Sequence, residues 1–411
     1  MNKKLLALAV AGAFVAPVAM ADTSNVVIGG QMHFSLDSLK GWNGKTGAAA
    51  DLSNNWNVSS NSSNIYFKGT EDLGNGLSAI WQIQTYFSAG GTGNSDAGVG
   101  YYDGFSSGNT YVGVSSKSWG TVMLGKMEAP FKLIGRKVDL FNNQIGDTRN
   151  LLQKGANLNN LQASPGPGVG AVGLSPGWEN RPQNTIAYAT PSFNGLTGTI
   201  AYVTNMEVNN NFAGAAVNGT TNDFSVDAWS ASVVYDNGPI YVGLAYERHN
   251  LANMNGFGPY ANLNDEKAWR LAGGYNFGDF KVTALYQRET DLCVGNVATP
   301  GNCTKNDGDR TSWGLGGAYK MGANTIKAQY YRTGDTGDVK DTSANMWALG
   351  FDHALSKRTT VYAAYAKTNN DNAVRYSAFG GGHGDNPMVG APGPLNGKDP
   401  SGFSLGVIHN F

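Results

Sequence analysis

From residue 26 to its last residue this chain repeats with a period of two and nowhere with the period of a helix. PIYVGLAYE sets Ile240, Val242, Leu244 and Tyr246 against Tyr241, Gly243, Ala245 and Glu247. TIKAQYY sets Ile326, Ala328 and Tyr330 against Lys327, Gln329 and Tyr331, and LSAIWQIQTYF separates Trp81 and Ile83 from Gln82 and Gln84. Successive side chains of a strand point to opposite faces, so each stretch is a ribbon with one apolar side and one small or polar side. After the first twenty residues no apolar run of about 18 occurs, so no helix can span a membrane.

The links between ribbons alternate in length. Short ones at 71–77, 116–120, 192–195, 236–238, 277–279, 320–324 and 355–359 mostly carry Gly, Asn or Asp, as tight hairpins require. Long ones lie near 37–62, 88–108, 128–183, 206–225, 250–265, 291–309 and 369–399, with a shorter eighth at 335–341. The segments between them make about 16 strands, from 26–36 through 63–71 and 77–87 to 359–368 and 402–411. A soluble sandwich or propeller has no reason to sort its loops by end. A closed antiparallel transmembrane β-barrel does, with short periplasmic turns, long extracellular loops, an apolar face to lipid and a polar face to a lumen. About ten residues at roughly 3.3 Å each, tilted by about 40°, cover about 25 Å of hydrocarbon. An open edge in lipid would strand backbone N–H and C=O groups, so the first strand should pair with the last. In GFSLGVIHNF this puts Phe403, Leu405, Val407 and Phe411 toward lipid, with His409 in the same alternation.

Lys3 and Lys4, an apolar run and Ala19-Met20-Ala21 read as a secretory signal peptide over 1–21, leaving 22–411 as a single barrel. The near balance of 29 basic and 30 acidic residues suggests no nucleic-acid partner. In an exported chain Cys293 and Cys303 read as one disulfide closing a short loop; the alternative, a metal site, lacks nearby Cys or His.

SSNIYFKGTEDLGNGLSAIWQIQ is similar to the second and third strands of the general trimeric porins of Gram-negative bacteria. WGTVMLGKMEAPF, RPQNTIAYATPSFNGLTGTIAY, LSKRTTVYAAY and LGVIHNF resemble further landmarks of that family, in its order, over the whole chain after the leader. The resemblance implies a 16-stranded homotrimer in the outer membrane, among outer-membrane lipid and lipopolysaccharide, passing ions and small hydrophilic solutes by diffusion. It implies a third loop folded into the lumen, with acidic residues facing a ladder of wall arginines. It also implies that the barrel-assembly machinery reads the end of the chain, here Val407, His409 and Phe411.

Carried over residue by residue, the pattern is altered. The third loop, from Glu128 to Gln183, holds Glu128, Asp139, Asp147 and Glu179 but also Lys132, Arg136, Lys137, Arg149 and Lys154. Asn64 stands where a wall arginine is expected, and Asn109 where another is. Arg181 is retained, Lys126 replaces a frequent Arg before the loop, and Tyr66, beside Lys68, stands where Gly is common. Arg181, Lys126, Asp139, Arg136, Asn64, Tyr66, Lys68 and Glu128 are thus the expected constriction, and the expected passage is weakly selective.

Other chemistries find less support. None of His33, His249, His353, His383 and His409 sits in a motif with Ser and Asp partners, so no catalytic residue is assigned. GDTGD (334–338) and NDGDR (306–310) put carboxylates together without the twelve-residue calcium pattern, and read as solvated loop tips, leaving no metal and no cofactor. The glycine-rich stretches 164–177 and 380–397 read as flexible loops. Two alternatives stay open: a substrate-adapted channel narrowed by the third loop, and an adhesin or surface antigen acting through the long loops.

Overall fold

A computed structural model describes residues 25–87, 104–152, 177–206, 226–254, 264–292, 308–379 and 395–411. The leader, Cys293, Cys303, Lys154, His383 and most of both glycine-rich stretches lie outside the described residues. The first strands are β1 (Asn25–Trp42), β2 (Leu52–Ser60), β3 (Asn64–Gly74), β4 (Leu77–Tyr86), β5 (Thr110–Ser116) and β6 (Gly120–Lys126). Next come β7 (Thr185–Ala189), β8 (Leu196–Met206), β9 (Val226–Asn237), β10 (Ile240–His249) and β11 (Glu266–Phe277). The series ends with β12 (Phe280–Leu292), β13 (Gly308–Met321), β14 (Asn324–Thr333), β15 (Ala344–Ala354), β16 (Thr359–Asn370) and β17 (Ser401–Asn410).

From β3 onward each strand pairs antiparallel with the next, and β17 returns to β1 in register from Gln31↔Asn410 to Lys40↔Ser401. The barrel is closed. On its other side β1 pairs with β3 over Asn25–Gln31 and with β2 over Phe34–Trp42. β2 and β3 are therefore two halves of one stave, and seventeen strands make the expected sixteen staves. The predicted loop 37–62 is corrected: it is mostly strand, with the connection reduced to 43–51. Its Asn- and Ser-rich composition resembles a loop, yet Trp56 and Val58 alternate onto the outer face. The stave breaks at 61–63, where Ser62 takes φ 61° and its hydroxyl meets Asn143 Oδ1 of the third loop at 3.2 Å.

Two-residue turns close the periplasmic end where Asn75-Gly76 and Asn194-Gly195 take positive φ at both positions, the geometry that matches strand twist. Along β10, Ile240, Val242 and Leu244 are 38%, 44% and 48% exposed, while Tyr241, Ala245 and Glu247 between them are buried. On β17, Phe403, Leu405 and Val407 look outward and Ser404 inward. The apolar face therefore meets lipid.

The buried apolar core lies inside the barrel. In the third loop, α1 (Pro130–Arg136) and α2 (Arg149–Leu152) bring Phe131, Ile134 and Leu151 against Tyr241, Tyr331 and Met346 of the wall, with Trp178 beside them. The last long connection, 369–399, also turns inward in its described part: Val374, Tyr376, Ala378 and Phe379 are buried. Gly146 N donates to Ala378 O at 2.8 Å, joining the two loops. Only glycine suits residue 146, because φ is +80° and an added Cβ would sit 2.5 Å from the Ala348 Cβ.

Candidate pore constriction

Pro130 opens α1 at the position where a missing N–H costs nothing, and Arg136 closes it where the helix dipole favours a cation. Its apolar stripe sets Phe131 and Ile134 on the wall, where Phe131 N donates to Ser230 Oγ at 3.1 Å and Tyr241 OH to Ile134 O at 3.3 Å. Leu133 looks the other way and is 48% exposed.

Arg181 is the hub of the loop's base. Its Nε donates to Asn109 Oδ1 at 2.9 Å, and Nη2 donates to Tyr86 OH at 2.9 Å and Glu128 Oε1 at 3.1 Å. Lys132 Nζ reaches the same Glu128 oxygen at 3.0 Å. Burial opposes the charge on Glu128, but Lys132 and then Arg181 hold its carboxyl down at about 2. The chain of bonds continues along the wall, since Gln84 Oε1 accepts from Asn109 N and Gln84 Nε2 donates to Asn64 Oδ1, both at 3.0 Å.

A second group holds the loop's middle. Asp147 accepts from Arg136 Nη1 at 2.8 Å and from Arg149 at 2.9–3.0 Å. Burial works against its ionised form, yet Arg149 and Arg136 keep its carboxyl well below the usual range. Asp139 accepts from Phe141 N, Thr148 N, Thr148 Oγ1 and Gln329 Nε2 at 2.9–3.1 Å. Burial and the nearby Asp147 raise its carboxyl to about 6, against the pull of Arg136 at 3.9 Å.

The structure thus gathers Asn64, Glu128 and Arg181 into one group, and Arg136 and Asp139 into the other. Tyr66 and Lys68 alternate inward on β3, with Lys68 Nζ 5.4 Å from the centre of the Tyr66 ring. Lys126 is a correction: the alternation of β6 places it with Val122 and Leu124 on the outer face, opposite Thr110, while Met127 turns inward. Phe411 exchanges backbone hydrogen bonds with Gly30 at 3.1 and 3.2 Å, and His409 Nδ1 lies 2.9 Å from Thr359 Oγ1. Asp335, in GDTGD, accepts from Thr342 N at 2.8 Å within its own loop.

Sequence reasoning missed the buried array beneath the loop. Arg270 pairs with Glu179 of the loop and with Gln287. His249 sits between Glu247 at 2.9 Å and Glu266 at 2.5 Å, with Trp178 stacked on it at 4.5 Å. Arg310 joins Glu289 to Tyr376 of the last loop. The available signal was the inward run of Glu247, His249, Glu266, Arg270, Gln287, Glu289 and Arg310 on neighbouring staves.

A family model described as Gram-negative porin matches residues 7–373. The chain belongs to the Gram-negative porin family. An outer membrane porin of Bordetella pertussis is 29% identical over 401 residues, 89% of this chain and 94% of that one. Outer membrane porin protein 32 of Delftia acidovorans is 28% identical over the full length of both. Among solved structures, an anion-selective porin from Comamonas acidovorans matches with a TM-score of 0.65 and 24% identity, over 94% of this porin and all of that chain. The protein is accordingly a multi-pass outer-membrane porin, a water-filled channel for passive diffusion.

Proposed function

We propose that this porin is a non-enzymatic, cofactor-free channel with a mild preference for small anions. The observation that carries this reading is the make-up of the two ion groups. Glu128 is shared by Lys132 and Arg181, and Asp147 by Arg136 and Arg149, so each group holds one positive charge more than it neutralises. Asp139 offsets one of these, while the exposed Lys68 adds another from the facing wall. Fixed charge of one sign beside a narrow aqueous path lowers the barrier for the opposite ion. The porin of Comamonas acidovorans described as anion-selective supports this by likeness of fold.

Reversal potentials in planar bilayers under a salt gradient test it. The wild-type channel should favour chloride, and Arg181→Ala should move the potential toward the cation side. A cation-selective wild type, or no movement in Arg181→Ala, overturns the assignment.

The inward-turned last loop favours the substrate-adapted reading as a second possibility, because Tyr376 and Phe379 fill space that a wide general pore leaves to water. Current block by one solute class, with saturable flux, would distinguish it. Homotrimer assembly is supported by a Vibrio cholerae outer membrane protein of the same fold solved in a trimer form. Recognition by the barrel-assembly machinery would use Phe411, Val407 and His409 on the exposed face of the closing stave.

A further inference from the structure

One lysine of the inner wall has no counter-charge. Lys281 stands on β12 between Phe280 and Val282, which look outward, so its side chain enters the lumen near the short turn 277–279. It is half-buried, and among the described residues it makes no ion pair; the charge acting on it is another cation, Lys137 of the third loop. Lys137 is itself balanced by Asp236 of β9 at 2.9 Å, and its Nζ lies 5.6 Å from the centre of the Tyr241 ring. At the same rim, Lys320 alternates inward on β13 and Asp279 stands in the turn, one charge of each sign and both exposed. Lys327, further along the wall, is taken by Asp352 at 2.9 Å. The set keeps one positive charge in excess, at Lys281.

The wall around Lys281 is built from small residues. Its cross-strand neighbours are Asn276 and Ala318, and one step deeper on the same face Thr283 lies between Gly274 and Gly316. A Cβ added at Gly274 would meet nothing nearer than Val282 O at 3.6 Å and the Tyr241 Cβ at 4.0 Å, which leaves room for further carbon there. On the other side a Cβ at Gly316 would strike Thr283 Oγ1 at 2.6 Å and Leu140 Cδ1 at 2.9 Å, so the third loop closes that flank. Thr283 is 3% exposed, and among the described residues its hydroxyl has no hydrogen-bond partner. A buried hydroxyl is ordinarily bonded, and one left over beside an unpaired ammonium points to a ligand that accepts from both.

We propose that Lys281 and Thr283 form a docking site for a short-chain monocarboxylate on the periplasmic side of the third loop, so that this solute class crosses the porin by brief, saturable binding. The proposal deepens the anion preference put forward above and rests on that reading for the sign of the passage. A carboxylate accepts from the Lys281 ammonium and the Thr283 hydroxyl together, and its one charge matches the one in excess. Its carbon body lies against Tyr241, Leu140 and Gly274, the arrangement of a mostly apolar pocket with a few convergent polar groups. A phosphate dianion would shed more water here and find no second unpaired cation in return. A single half-buried ammonium also holds its ligand loosely enough to release it, as conduction requires.

The test is planar-bilayer conductance of the full refolded chain, with sodium propionate as the probe. In wild type the propionate conductance should level off as its concentration rises while chloride conductance keeps climbing, and propionate added to chloride should block part of the current. Lys281→Met, and Gly274→Leu, which fills the space beside Tyr241, should each raise the half-blocking concentration at least fivefold. Lys281→Arg, which keeps the charge, should recover most of the block, and Lys367→Met on the outer face should stay within twofold of wild type. Propionate conductance that never levels off in wild type, equal block by inorganic phosphate, or unchanged block in Lys281→Met overturns the proposal. The first two results need wild type alone, so the proposal stays open to refutation even if a variant does not refold. A cation-selective wild type that propionate still blocks through Lys281 would instead overturn the anion preference and leave this site in place.

Discussion

Glu179→Ala should loosen the third loop and make the channel noisier and more conductive. Arg270 is fully buried beneath that loop. Its guanidinium pairs with Glu179 Oε1 at 2.5 Å, donates to Gln287 Oε1 at 2.6 and 2.8 Å and to Phe131 O at 3.2 Å, and lies 4.2 Å from the centre of the Phe131 ring. Truncating Glu179 leaves that charge in place with only neutral acceptors. Breaking a buried pair from one side costs about 3–5 kcal/mol. At about 1.4 kcal/mol per tenfold, that biases docking of the segment around residue 179 by two to three and a half powers of ten. Asp139, Phe131 and Ile134 still hold the loop elsewhere, so the expected result is excursions of one segment and not loss of the whole constriction. Single-channel recordings should show raised open-channel noise and mean conductance. The double variant Glu179→Ala with Arg270→Met, which removes the charge together with its partner, should return toward wild type. Wild-type noise and conductance in Glu179→Ala, or a double variant as disturbed as the single, would refute the account of the latch.

Three further outcomes follow from the same geometry. Asp139 titrates at about 6 in the docked loop against 3.8 as its ordinary value, so docking gains stability below about pH 4 and loses that gain as pH rises through about 6; channel noise should fall on acidification from pH 7 to pH 5 in wild type and stay flat in Asp139→Asn. Gly30→Leu should cut refolding yield severalfold, measured by heat-modifiable electrophoretic mobility, because a Cβ there would lie 2.3 Å from Asn64 O and 2.7 Å from the Phe411 ring; normal yield would remove the close fit of the closing stave. Tyr66→Gly should raise single-channel conductance by tens of percent if its ring narrows the passage, and unchanged conductance would take Tyr66 out of the constriction.

Which parts of this were legible in the sequence depends on whether the controlling interaction is local. Face assignment along β10, β14 and β17 needs only the order of residues, so alternation recovered it. The same alternation was available for Lys126, two positions beyond Leu124 and four beyond Val122, and it places that lysine outside. The error came from trusting a motif position over the strand's own parity, and parity is the stronger constraint because a paired strand cannot turn one side chain around without a bulge. The first hairpin failed differently: Asn and Ser in WNVSSNSS are poor strand formers, and pairing to β1 on one face overrode propensity.

The inward packing of both loops was invisible for a better reason. Inside a barrel, a polar residue that lines water and one that pairs beneath a loop have identical parity and identical composition. Glu247, Glu266, Arg270, Glu289 and Arg310 could each have been either. What separates the cases is the loop's own chemistry. A solvated connection as long as 127–184 has no use for Phe131, Ile134, Phe141, Leu151 and Trp178, and burying such side chains stabilises by roughly 1.5–3 kcal/mol apiece. No face was left for them except the wall inside, since the outer face belongs to lipid. Apolar residues in a long barrel loop therefore argue for inward folding, and Val374, Tyr376 and Phe379 make the same case for the described part of the last loop. Because Gly146 N donates to Ala378 O and Phe379 packs with Phe141 and Ile145, the two loops hold each other in place, and a change in either should loosen the packing of the other.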